Sequence, residues 1–154
     1  MNGGPLPSPT VHAGAVLLGA AGVLLRGPSG AGKSALALAL VERFRGRGRF
    51  AALVADDRVQ LSVHHGRLVA RAPERLAGLV ERWGRGILSV PHEEACVLRL
   101  VVDCLDAEAL ERMPEPGALT VEIAGITLPR QPVPARQLAF ACPLVEDALH
   151  AVFP

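Results

Sequence analysis

The chain is 154 residues long and 50 % hydrophobic, with a formal net charge of +1 at pH 7, enough apolar material for one globular domain with a sizeable core. The near-neutral charge argues against a nucleic-acid partner, and the apolar run at residues 13–25 is too short to span a bilayer, so no membrane partner is expected either. Cys96, Cys104 and Cys142 lack metal-ligand spacing and read as buried thiols of a reducing, cytoplasmic compartment; no lysine or arginine precedes the first apolar run, as a signal peptide would require.

In chain order, residues 1–10 are expected to form a disordered leader and residues 11–154 a single domain. "VHAGAVLL" and "GVLLR" read as two strands joined at "GAAG", a hairpin that runs into "GPSGAGKS" at residues 27–34. This spacing, G-x-x-x-x-G-K-S, is the phosphate-loop pattern. Gly27, Gly30 and Gly32 lack a Cβ and let the backbone turn several N–H groups toward one anion, with Pro28, Ser29 and Ala31 completing the nucleotide-binding loop. The following "ALALALVERF" reads as a helix whose N-terminus adds the positive end of its dipole. Lys33 brings a compact charge to the outer phosphates, and the Ser34 hydroxyl suits Mg²⁺. Lys33 is also the only lysine in a chain that uses arginine at every other basic position except histidine; a flat guanidinium does not replace an ammonium lodged between phosphates. The basic stretch "RFRGRGR" at residues 43–49 reads as a solvated loop.

"FAALVADD" is an apolar strand ending in Asp56 and Asp57, followed by a second hairpin, "VQLSV", "HHG", "RLVAR". Pro73 is expected to open a short helix over "PERLAGLVE", and "WGRGILSV" a loop entering a strand. "ACVLRLVVDCL" is a long apolar strand, and "LTVEI", "AG", "ITLP" a third hairpin. After the proline-punctuated "PRQPVPAR", the segment "LVEDALHAVF" is a closing helix. Hairpins outnumber βαβ units, so the expected fold is α/β with α+β character: a mixed, largely antiparallel sheet around a phosphate loop. Two carboxylate sites compete as partners of the loop. One is the pair Asp56–Asp57, whose members should point to opposite faces of a strand; the other is Asp103, which closes "LRLVVD" in the manner of an ordinary Walker B strand.

His12, the loop at 27–34, "LVADDRV" at 53–59, "ERWGRGI" at 81–87 and "LPRQPVPARQLA" at 128–139 occur in one order. Together they resemble the catalytic domain of HPr kinase/phosphorylase, the bacterial enzyme that modifies a serine of the phosphocarrier HPr. The resemblance runs from about residue 11 to the C-terminus and implies the short form without a separate N-terminal domain, with a sheet similar to that of phosphoenolpyruvate carboxykinase. It implies that Asp57 accepts the serine proton, that Lys33 holds the outer phosphates, that Ser34 and Glu81 hold Mg²⁺, and that His12 is an active-site histidine. Arg112 in "LERMP" matches an arginine that steadies the transferred phosphate, and residues 129–136 correspond to the segment used in dephosphorylation. The activity implied is that of an ATP- and Mg²⁺-dependent serine kinase of HPr or an HPr-like carrier, reversible as a phosphorylase, in the regulation of carbon and nitrogen phosphotransferase signalling. A homo-oligomer is expected. The chain departs from the family pattern at Trp83, where an arginine is usual, at Ala35, where an acidic residue often follows the loop serine, and at Arg130 and Arg136, which reproduce only part of the dephosphorylation motif. Two alternatives stand beside this reading: a small-metabolite kinase that uses Asp103, and an ATP-sensing module that transfers nothing.

Overall fold

The computed structural model describes residues 10–152, so the expected leader falls outside the described residues except for Thr10, which already pairs as a strand. The chain runs through β1 (Thr10–Val11), β2 (Ala13–Leu18), β3 (Ala21–Arg26), α1 (Lys33–Gly46), β4 (Ala51–Ala55), β5 (Val59–His64), β6 (Arg67–Arg71), β7 (Leu79–Arg82), β8 (Gly86–Ser89), β9 (Ala95–Leu105), β10 (Thr120–Ile123), β11 (Ile126–Pro134) and α2 (Leu138–Val152). Nine strands form one sheet in the order β1-β5-β6-β9-β3-β2-β4, with β11 also paired to β9 and β10 to β11; β7 and β8 form a separate ribbon. Among these strand pairs, those of β9 with β3 and with β11 are parallel and the others antiparallel. The expected mixed, largely antiparallel sheet is therefore present. No described helix is long and apolar enough to cross a membrane.

Apolar side chains fill both faces of the sheet. Val16, Val23, Leu25, Leu100, Val102 and Cys104 pack beneath α1 and α2 with Leu36, Leu40, Phe44 and Val145. Ala15, Leu24, Val54, Leu98 and Val101 face the other way, where Val59, Leu68 and Leu128 from the outer hairpins close over them. Two bulges set this division. The β3–β9 register steps past Arg99, so Leu98 and Leu100, two apart in sequence, face opposite layers. The β2–β4 register likewise steps past Val54, which turns Ala55, and the chain leaving it, away from the helical side.

Three expectations need correction. Residues 73–81 do not form a helix: a single 3-10 turn at Glu74–Leu76 gives way to β7. Gly78 stops the turn with φ +74° against the His92 ring, where a Cβ would sit 2.5 Å from Nδ1, and Val80 is buried between exposed neighbours in strand alternation. The second strand of the third hairpin does not stop at Pro129: residues 130–134 continue it as the second half of β11. There β11 pairs with β9 alone, since β10 reaches only Pro129. Ala135 N–H donates to Leu105 O at 2.7 Å, and alternation places Pro132 and Pro134 on the open edge, where a missing N–H costs nothing. Finally, α2 begins at Leu138, not at residue 144, with Pro143 inside it. Burial of Ala141, Cys142, Val145 and Leu149 along one face offsets the hydrogen bond the proline removes.

Candidate active site

β3 delivers the chain into the loop, and α1 begins at Lys33. Gly27, Gly30 and Gly32 all have positive φ, the conformations that curl successive backbone N–H groups toward one point. Gly27 is also needed for space, since a Cβ there would lie 3.0 Å from the Cys104 Cβ. Lys33 is buried, 8 % exposed, and its Nζ donates to Gly27 O at 2.7 Å and Pro28 O at 3.1 Å, so the one ammonium group is held inside the loop. Burial pushes the Cys104 thiol beneath it up to about 11, which leaves that sulfur protonated and inert.

The two neighbouring aspartates diverge, because the chain leaves β4 at Ala55 and Asp57 takes a left-handed conformation, φ +67°, which Asp tolerates better than most residues. Asp56 accepts a 2.6 Å hydrogen bond from the Ser34 hydroxyl and a 3.3 Å bond from the Glu81 N–H. Asp57 is bonded instead to His12 Nε2 at 2.6 Å, with its carboxylate mostly open to solvent. Ser34 and Asp56 thus meet at the start of α1, and Glu81, whose N–H reaches Asp56, lines the same cleft as Ser34. No three His, Cys, Asp or Glu side chains converge into a metal cage among the described residues. Such a sparse oxygen set fits Mg²⁺, which is held through one or two carboxylates and otherwise by water and substrate phosphates.

One cleft of about 690 Å³ is lined by His12, Ser29, Gly30, Lys33, Ser34, Asp57, Glu81, Trp83 and Arg136 among others. Arg136, itself left-handed at φ +59°, donates from Nη1 to Gly30 O at 3.1 Å and closes on the loop from the end of β11. Sequence reasoning placed Arg136 in a segment of interest but gave it no contact with the loop, and it left the Ser34 bond of Asp56 unassigned. Arg112 is on the exposed segment between β9 and β10 and is not part of the cleft lining. Asp103 is also elsewhere. Buried at the end of β9, it receives two hydrogen bonds from Arg26, at 2.7 and 2.8 Å, and a third from Arg130. Burial alone would raise its pKa; the two guanidinium groups outweigh that and hold it below the usual carboxylate range. Its oxygens are committed to arginines, which removes the main support for a Walker B role.

The family model for the HPr serine kinase C-terminal domain matches residues 6–151. The chain belongs to that family. The chain is 35 % identical over 141 residues to an HPr kinase/phosphorylase of Azoarcus sp. strain BH72, covering 84 % of the chain and 43 % of that protein. It is 45 % identical over 87 residues to an HPr kinase/phosphorylase of Peptoclostridium acidaminophilum, covering 56 % of the chain and 26 % of that protein. The chain therefore spans less than half the length of these curated relatives. The solved structure of the HPr(Ser) kinase/phosphatase from Coxiella burnetii superimposes with a TM-score of 0.76 at 27 % identity, over 94 % of this chain and 95 % of that one. Of the residues the sequence singled out, the fold brings His12, the loop, Asp57 and Glu81 to one cleft and leaves Arg112 and Asp103 outside its lining.

Proposed function

We propose that the chain is a cytoplasmic ATP- and Mg²⁺-dependent kinase that phosphorylates a serine of HPr or an HPr-like phosphocarrier, with the phosphorylase direction as its reverse, and so regulates phosphotransferase signalling. The observation that carries this reading is that a phosphate loop and an Asp57–His12 pair line one cleft. The loop N–H groups, Lys33 and Arg136 are suited to the phosphates, and Ser34 and Glu81, with Asp56 behind Ser34, to Mg²⁺. The metal would neutralise charge on the phosphate oxygens.

Asp57 is the base in this scheme. The serine oxygen forms a bond to the γ-phosphorus, the bond from that phosphorus to the bridging oxygen breaks with its electron pair leaving on ADP, and the serine proton passes to the Asp57 carboxylate. His12, within hydrogen-bond reach of that carboxylate, fixes its direction. In the phosphorylase reaction an oxygen of inorganic phosphate forms a bond to the phosphoserine phosphorus, the bond from that phosphorus to the serine oxygen breaks to leave pyrophosphate, and Asp57 returns a proton to the serine oxygen.

Asp57→Asn is the deciding variant. Nucleotide binding rests on the loop, so its affinity for Mg-ATP should stay within about threefold, while transfer of labelled phosphate to HPr should fall by at least about 10²-fold, the usual worth of a general base. Intact transfer in this variant would put the base elsewhere. A wild-type chain that binds Mg-ATP and transfers nothing would favour the sensing module.

A further inference from the structure

The β7–β8 ribbon carries a surface that phosphate binding does not explain. A two-stranded hairpin alone is marginal in water, yet this one is anchored at three places. Val80 and Leu88 lie opposite each other and pack into the core beneath α1. Arg82 Nη2 donates to Glu42 Oε1 at 3.0 Å, and the Glu81 N–H donates to Asp56.

The opposite face is bare: Leu79 and Ile87 share it with Glu81, which lies directly across from Ile87. Trp83 at the tip is 90 % exposed, Ile87 is 67 % exposed, and Leu79 is exposed at the ribbon's start. A firmly held platform that keeps the chain's only tryptophan in water has the properties of a contact hot spot: a large amphipathic area that loses little conformational freedom when covered. Trp83 also lines the cleft that holds Lys33, Ser34 and Asp57, so whatever covers it reaches the reacting groups. Ile87 and Leu79 lie outside the cleft lining, so the patch extends past what one nucleotide base would cover. Beside Trp83, Arg85 is exposed and forms no ion pair among the described residues, leaving a positive charge next to the apolar patch.

We infer that this ribbon face docks the acceptor protein of the reaction: Trp83 and Ile87 cover an apolar patch next to the acceptor serine, and Arg85 meets carboxylates at its border. The inference rests on the kinase reading for the identity of the acceptor. Calorimetric titration of the full chain with purified HPr tests it without needing turnover. Trp83→Ala should weaken HPr binding at least about tenfold, as truncating an anchor residue does, and Trp83→Phe should recover most of that loss. Mg-ATP affinity measured in parallel should stay within about twofold, and sedimentation should give one unchanged mass for all three proteins. Unchanged HPr affinity in Trp83→Ala overturns the assignment. So does a loss of Mg-ATP affinity, which would make Trp83 a platform for the base, or a change of mass, which would bury the patch between copies of the chain. A wild-type chain that binds HPr through Trp83 but transfers no phosphate refutes the kinase reading and leaves the docking face standing; one that binds no HPr refutes the docking face.

Discussion

At the residue scale, Lys33 supplies the glycine-rich loop at residues 27–34 with its single ammonium group. Its donation to Gly27 O and Pro28 O keeps the charge where the outer phosphates would lie. Replacing it with alanine removes a charge-assisted contact, and Mg-ATP binding should weaken by about 10- to 150-fold. Equilibrium dialysis with labelled ATP reads this directly; an unchanged affinity would take the loop out of the site. Lys33, Ser34 and the loop glycines were legible in the sequence because their spacing encodes one backbone conformation. The divergence of Asp56 and Asp57 was legible as well, although the reason is different from strand alternation: both lie past the end of β4, and a positive φ at Asp57 does the turning. The contact of Arg136 with Gly30 was not legible. It depends on the register of a distant strand, and no local pattern marks it.

At the element scale, Asp103 joins three strands. Arg26 ends β3, Asp103 is near the end of β9, and Arg130 lies in β11, so one carboxylate ties the loop's strand to the strand that carries the chain on to Arg136. Its depressed pKa has a definite consequence for acid stability. A carboxylate that is more acidic in the folded state contributes stability above its unfolded value, about 3.9, and that contribution is lost as pH falls through the folded value. Urea midpoints should therefore drop below about pH 4 in the wild type. In Asp103→Asn that acid-induced loss should be smaller, and stability at neutral pH lower by about 3 kcal/mol, the lower end for breaking a buried pair, because both arginines keep some contact with solvent. An equal acid response in the two proteins would remove Asp103 as a source of it. The ribbon at β7 and the far half of β11 were misread from sequence for related reasons. Pro73 is a good helix opener with nothing to sustain the helix past Gly78, and prolines look like loop punctuation until the strand is known to have an open edge.

At the scale of the whole molecule, the apolar runs announced most of the strands, and their hairpin order announced a mixed sheet. What they could not announce was how the core divides between the two faces. Which residues face which layer depends on single-residue register steps at Arg99 and Val54, and a bulge leaves no signature in composition or periodicity. One further property belongs to the molecule entire. It has a single tryptophan and no tyrosine, so its near-ultraviolet emission comes almost wholly from one indole at the rim of the cleft. That indole is 90 % exposed while the chain is folded, so denaturation moves it from water to water. A urea titration should leave the emission maximum nearly in place while circular dichroism passes through its full transition. A pronounced red shift on unfolding would mean that Trp83 is covered in solution. Covering the rim should instead move the emission to the blue, which makes the folded chain nearly blind to its own unfolding and responsive to whatever docks on it.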